Sequence, residues 1–144
     1  MVSLHILARL ADSDGKPLRS EDLAASANTN AVVIRNLLAR MAGAGLIRTQ
    51  MGSGGGALLA RAAETISLLD VYGAVEDREM FSFHRSPPAD RLTVDRYIVP
   101  SLVDILADAR QALELRLAAV TIRDVLADIR RREEIQAGDP TRAG

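Results

Sequence analysis

The stretch that most constrains this chain runs from residue 28 to residue 41, Asn-Thr-Asn-Ala-Val-Val-Ile-Arg-Asn-Leu-Leu-Ala-Arg-Met. At about 100° per residue, Ile34, Leu37, Leu38 and Met41 gather into one arc of a helix, and Val32, Arg35, Asn36, Ala39 and Arg40 into the other. One face packs and the other presents. The presenting face has no acid of its own and carries arginine, whose fork matches guanine, and asparagine, whose amide matches adenine. A helix that reads base edges in a major groove needs such a face.

The flanking segments support that reading. Ser20 to Ala27 predicts a short helix with a capping serine and with Glu21 and Asp22 in its first turn, where the macrodipole favours acids. A tight polar turn between the two helices is the pattern of a helix-turn-helix. Gly43-Ala44-Gly45 then ends the second helix, and Leu46 to Gln50 and Ala57 to Arg61 read as two short strands around the glycine loop Gly52 to Gly56. Two strands so joined form a wing. The same loop formally matches a dinucleotide fingerprint, Gly52-x-Gly54-x-x-Ala57, but an extended segment follows it where the fingerprint needs a helix.

Charge is divided along the chain. Residues 1–61 hold seven basic and four acidic side chains, +3, whereas residues 62–144 hold eleven and fifteen, −4, so the net −1 hides a local excess. From Leu23 to Ala63 there is no acid, against Arg35, Arg40, Arg48 and Arg61. A positive surface on an otherwise acidic chain suits one face of a duplex. No apolar run approaches the roughly 18 residues that span a bilayer, which places the expected protein in the cytoplasm with no membrane partner. Zero cysteines exclude disulfides and thiolate metal sites. The two histidines, His5 and His84, do not make a metal site, and no nucleophile motif indicates catalysis. No cofactor is expected.

The remaining elements follow from periodicity. Val2 to Ala11 predicts an opening helix behind the helix-turn-helix, and Asp12 to Pro17 a loop. Ser67 to Asp70 starts a helix running to about Glu76, with aspartate in the capping-box position usually held by glutamate. Residues 77–92, with Ser86-Pro87-Pro88, read as a linker containing a short extended piece at Met80 to Phe83. Beyond it Val99, Leu102, Leu106, Ala109, Leu113, Leu117 and Val120 are spaced 3, 4, 3, 4, 4 and 3, close to a coiled-coil seam on a helix that Pro100 either begins or bends. A seam this long has too little cover within one chain and predicts a homodimer. Thr121 to Asp124 opens a last helix through about Arg132, and residues 134–144 form a flexible tail.

Taken in order, Ser20 to Ala24, Ile34 with Leu37 and Leu38, Ala44 to Ile47, Gly52 to Gly56 through Leu59-Ala60-Arg61, Ile66 to Val71 and Ala74 to Glu76 resemble the bacterial Rrf-two (Rrf, type two) transcriptional regulators. That family includes an iron-sulfur cluster regulator, a nitric-oxide-sensing repressor and a cysteine-metabolism repressor. The resemblance covers residues 1 to about 76 and implies a homodimeric winged-helix protein on a partly palindromic operator, usually a repressor. It places base reading on Asn30, Val32, Arg35 and Asn36 and the wing on Met51 to Gly56. Family members often carry arginine where Met51 stands and an aromatic where Ala57 stands. Cluster-binding relatives hold three cysteines in the loop matching roughly Phe83 to Thr93; this chain has none, so cluster sensing does not carry over and the small-molecule inducer is left open.

The expected fold is therefore mainly α with a small β-wing: a winged helix-turn-helix over residues 1–76, a linker at 77–92 and dimerisation helices over 93–133. The expected contacts to double-stranded DNA are Thr29, Asn30, Val32, Arg35, Asn36, Arg40, Arg48, Gly52, Ser53, Gly54 and Gly55, with Arg40, Arg48 and the wing amides on sugar-phosphate. Winged helices also serve as protein-interaction modules without a DNA target, and fold alone does not separate the two.

Overall fold

The computed structural model describes residues 1–75 and 92–137; His84, the linker over 77–91 with its expected extended piece, and the tail from 138 lie outside the described residues. Among the described residues six helices and one hairpin follow in order: α1 (Val2–Asp12), α2 (Ser20–Ser26), α3 (Ala31–Gly43), β1 (Ile47–Gln50), β2 (Gly56–Leu59), α4 (Leu68–Val75), α5 (Thr93–Ala118) and α6 (Ile122–Ala137). A 3-10 turn at Ala63–Thr65 joins the hairpin to α4.

Both helices of the helix-turn-helix end by the same device. Asn28, at φ +48°, follows α2, and the N–H groups of Asn28 and Thr29 donate to the Ala25 and Ala24 carbonyls at 3.3 and 3.0 Å. Gly45, at φ +70°, follows α3, and the N–H groups of Gly45 and Leu46 donate to the Ala42 and Met41 carbonyls at 3.0 and 2.9 Å. These are Schellman closures, which require a left-handed residue just past the helix and favour glycine or asparagine there. Asn28 and Thr29 thus belong to the turn, and α3 starts at Ala31, within the stretch 28–41 that reads as one helix in sequence. Ser20 is likewise not the cap of α2: Arg19 holds that position with no side-chain bond, and the Ser20 hydroxyl donates to the Glu21 carboxylate at 3.1 Å.

The core lies between α1, α2, α3 and the sheet. Ile6, Leu7, Ile34, Met41 and Ile66 are fully enclosed, with Leu10, Leu23, Leu46 and Val71 beside them. Strand β1 pairs antiparallel with β2, Ile47 opposite Leu59 and Gln50 opposite Gly56. A third rung comes from the loop after α1: Leu18 and Ala57 exchange both backbone bonds, at 3.0 and 2.8 Å. That pairing ties the loop to the wing and leaves Ala57 buried.

Two further caps behave as their sequences imply. The Ser67 hydroxyl accepts the Asp70 N–H at 3.1 Å while Asp70 accepts the Ser67 N–H at 2.9 Å, and Thr121 with Asp124 repeats the pattern at 3.2 and 2.9 Å. The two capped starts are laced together, Leu68 N–H to the Val120 carbonyl at 2.8 Å and Ile122 N–H to the Ile66 carbonyl at 2.9 Å. Satisfied donors at both helix starts let this junction sit against the core.

That lacing brings the start of α6 back against the first domain. Ile122 is fully buried in the winged-domain core, α6 packs on α1, and Arg130 donates to Asp12 at 2.8 Å. The chain returns to its first domain after α5. Helix α6 also continues to Ala137, past the expected end near Arg132 and into the expected tail. Its amphipathic face has a surface to cover, which sustains it through a run of charged residues. Pro100 lies inside α5, which begins at Thr93.

Candidate nucleic-acid interface

Helix α3 separates its faces as the periodicity predicts. Ile34 and Met41 are fully buried and Leu37 and Leu38 half-buried, while Val32, Arg35, Asn36 and Ala39 are exposed and Arg40 is half-buried. Val33, at the start of the helix, is also exposed. Asn30 is the N-cap: its Oδ1 accepts the Val33 N–H at 3.0 Å. One of its acceptor sites is thereby used by the helix itself, which leaves the amide nitrogen and a second lone pair for other partners. Thr29 is half-buried in the turn.

Arg35 is engaged at one edge. Its Nε donates to the Ala31 carbonyl at 3.2 Å, folding the side chain toward the start of α3, and its Nη2 lies 3.9 Å from Glu21 Oε1. The Glu21 carboxyl is held below the usual carboxylate range by its own backbone N–H, the Ser20 hydroxyl, Arg35 and Arg19. No pattern within α3 reveals this acid, because it reaches the arginine from the neighbouring helix.

The wing turns through Met51 to Gly55. Gly52 and Gly54 take φ of +95° and +78°, the Gly55 N–H closes on the Gly52 carbonyl at 3.0 Å, and a Cβ on Gly55 would collide with the Gln50 carbonyl. The glycine run is thus demanded by the turn before any ligand is considered. Met51, Gly52, Ser53 and Gly54 are exposed at the tip, and Arg48 and Gln50 are exposed on β1. A groove of about 290 Å³ separates α3 from the sheet, with Ser20, Arg35, Ala39, Thr49 and Gly56 on its walls. Ser20 and Thr49 join this face only through the tertiary fold, and their spacing in sequence carried no signal.

The acid-free run from Leu23 to Ala63 is less positive in space than in sequence. Arg61 pairs with Asp70 at 3.2 Å. The Ser67 N–H, the Ser67 hydroxyl and then Arg61 hold the Asp70 carboxyl below its ordinary value. Among the described residues no group of three or more His, Cys, Asp or Glu is placed to hold a metal ion. His5 instead bonds the Ser26 hydroxyl at 2.9 Å, linking α1 to α2.

Of the expected seam on α5, Val99, Leu106, Leu113, Leu117 and the following Val120 are half-buried, while Leu102 and Ala109 are exposed. The uncovered apolar surface is wider than one seam, since Val94, Tyr97, Ile98, Val103, Ile105 and Leu115 are exposed as well. The spacing of the heptad residues did not reveal this second band.

Three comparisons place these features among known proteins. The family described as Rrf2, iron-dependent transcriptional regulator, matches residues 1–128. The chain is 34% identical over 126 residues to YwnA of Bacillus subtilis (strain 168), named as an HTH-type transcriptional regulator, covering 87% of this chain and 92% of that one. A solved structure from Lactobacillus plantarum, described as a transcriptional regulator, superposes with a TM-score of 0.74 at 26% identity over 96% of each chain. Another, described as a DNA-binding protein, superposes with a TM-score of 0.68 at 30% identity over 87% of this chain and 96% of its own. The iron named in the family's description has no thiolate ligands to meet here, for the chain contains no cysteine.

Proposed function

Because this chain belongs to the Rrf2 family and is a DNA-binding transcriptional regulator, we propose that it acts as a homodimeric repressor on a partly palindromic operator in double-stranded DNA. The observation that carries the reading is the split of α3, with Ile34 and Met41 sealed in the core while Val32, Arg35 and Asn36 are exposed on the opposite side. In the proposed complex those three residues enter the major groove. Thr29 and Asn30 sit at its edge, Asn30 holding the helix start, and Arg40, Arg48 and the amides of Gly52, Ser53 and Gly54 meet sugar-phosphate, the Gly55 N–H being used within the wing turn.

The dimer is proposed from α5. At about 1.5 Å per residue its 26 residues extend roughly 39 Å, and none of the described ones is fully buried in the single chain. A second α5 against Val99, Leu102, Leu106, Ala109, Leu113, Leu117 and the adjoining Val120 covers that surface and sets two half-sites about 34 Å, or a multiple, apart.

The test is Arg35→Ala, measured on duplex selected by the wild type from random-sequence DNA and on a scrambled duplex. Loss of one bidentate base contact lowers affinity for the selected duplex by about 1 to 3 kcal/mol and relaxes preference at one position. Equal loss on both duplexes removes base reading by Arg35, and absence of sequence-selective binding by the wild type removes the reading as a whole.

A further inference from the structure

Glu21 is the point at which an acid reaches the presenting face of α3. It projects from the first turn of α2, it is exposed, and its Oε1 lies 3.9 Å from Arg35 Nη2 while accepting the Ser20 hydroxyl at 3.1 Å. Arg35 Nε is held by the Ala31 carbonyl at 3.2 Å. Nε and Nη2 lie on the same edge of the planar guanidinium, so the protein addresses that edge and leaves the pair of N–H groups at the tip. Guanine takes two parallel donors on O6 and N7, and the tip supplies such a pair without rearrangement.

The same carboxylate works against indiscriminate contact. Affinity for unmatched DNA comes from phosphate, and a negative charge on the docking face reduces it for every sequence alike. A matched guanine returns a directional contact that unmatched DNA does not, so the penalty falls on the wrong partner.

Resting on the assignment of Arg35 as a base contact, we propose that Glu21 is a specificity-determining positioning residue. It holds the Arg35 guanidinium tip-first toward the base edge and weakens binding to unmatched duplex.

The full-length protein and its Glu21→Gln, Arg35→Ala and double variants test this on the wild-type-selected duplex and on a scrambled duplex of equal length and salt. Glutamine keeps the size of the side chain and an acceptor for Ser20, and the position is exposed, so the fold is retained. Glu21→Gln tightens binding to the scrambled duplex several-fold without tightening the selected one, lowering the selected-to-scrambled ratio by about 5-fold, the lower end of what a bidentate contact discriminates. In the Arg35→Ala background the same change leaves the ratio unaltered. In the DNA-free protein, nuclear magnetic resonance shows faster solvent exchange of the Arg35 Nε proton in Glu21→Gln.

An equal gain on both duplexes in the wild-type background overturns the inference and reduces Glu21 to a bulk charge. If Arg35→Ala lowers the ratio while Glu21→Gln does not, the inference fails and the base contact stands. If neither variant changes the ratio, both fail.

Discussion

The bond that Asn30 Oδ1 accepts from the Val33 N–H sets helix capping against the proposed DNA contact of the same side chain, and substitution separates them. Asn30→Ala removes the cap and the amide together. Loss of an N-cap costs about 1 kcal/mol, with a range of roughly 0.5 to 2. With an unfolding entropy of about 2.1 cal/mol/K per residue, 144 residues give roughly 0.3 kcal/mol/K, so the melting temperature falls by about 3 °C. Asn30→Ser restores an acceptor to the same N–H and keeps within about 0.5 kcal/mol of wild type, yet it has no amide to span an adenine. Urea unfolding at one fixed protomer concentration measures stability, and hydrogen exchange at Val33 follows the bond itself, its protection dropping about 5-fold in the alanine variant alone. On DNA, the serine variant retains the wild-type ratio between selected and scrambled duplex if capping is the main task of Asn30, and loses it if the amide reads a base. A serine variant as unstable as the alanine variant, or unchanged protection of Val33 in Asn30→Ala, would refute the capping argument.

Ile122→Ala should destabilise the chain by about 3 to 4 kcal/mol, from three buried carbons at roughly 0.8 kcal/mol each plus the cavity they leave. Ile129→Ala, on the exposed side of the same helix, should cost under about 1 kcal/mol; equal urea midpoints for the two would deny α6 its place in the core. Asp70 has a folded-state pKa below its unfolded value, so its stabilisation is complete above about pH 4 and disappears as pH falls through the lower folded value. Asp70→Asn is accordingly less stable than wild type at pH 7, and the gap narrows on acidification; a gap independent of pH would contradict the capping and Arg61 contacts. Leu113→Asp puts a carboxylate into the proposed apolar seam from each protomer. Sedimentation should show monomer where wild type is dimeric, with operator affinity falling at least about 10-fold, and a variant that remains dimeric would place the interface elsewhere.

Much of the architecture was readable because its causes act over a few residues. The arcs of α3, the capping pairs Ser67–Asp70 and Thr121–Asp124, and the closing glycine at Gly45 each need only groups within a turn or so of one another. The same local rules misplace details where two residues compete for one role. Ser20 looks like a cap but lies inside α2, and Asn28 looks like part of α3 but takes the left-handed position that ends α2.

Sequence alone determined which face of α3 packs, where the hairpin turns, and that α5 carries apolar residues at seam spacing. Tertiary structure decided what meets across the chain: Leu18 completing the wing at Ala57, Ile122 returning α6 to the first domain, and Glu21 reaching Arg35 from another helix. The physical reason is that periodicity and capping report on neighbours in sequence, whereas these pairings depend on how the loops bring distant segments back together. The chemistry of the proposed reading face is therefore written in α3, and the acid beside it is brought there by the fold.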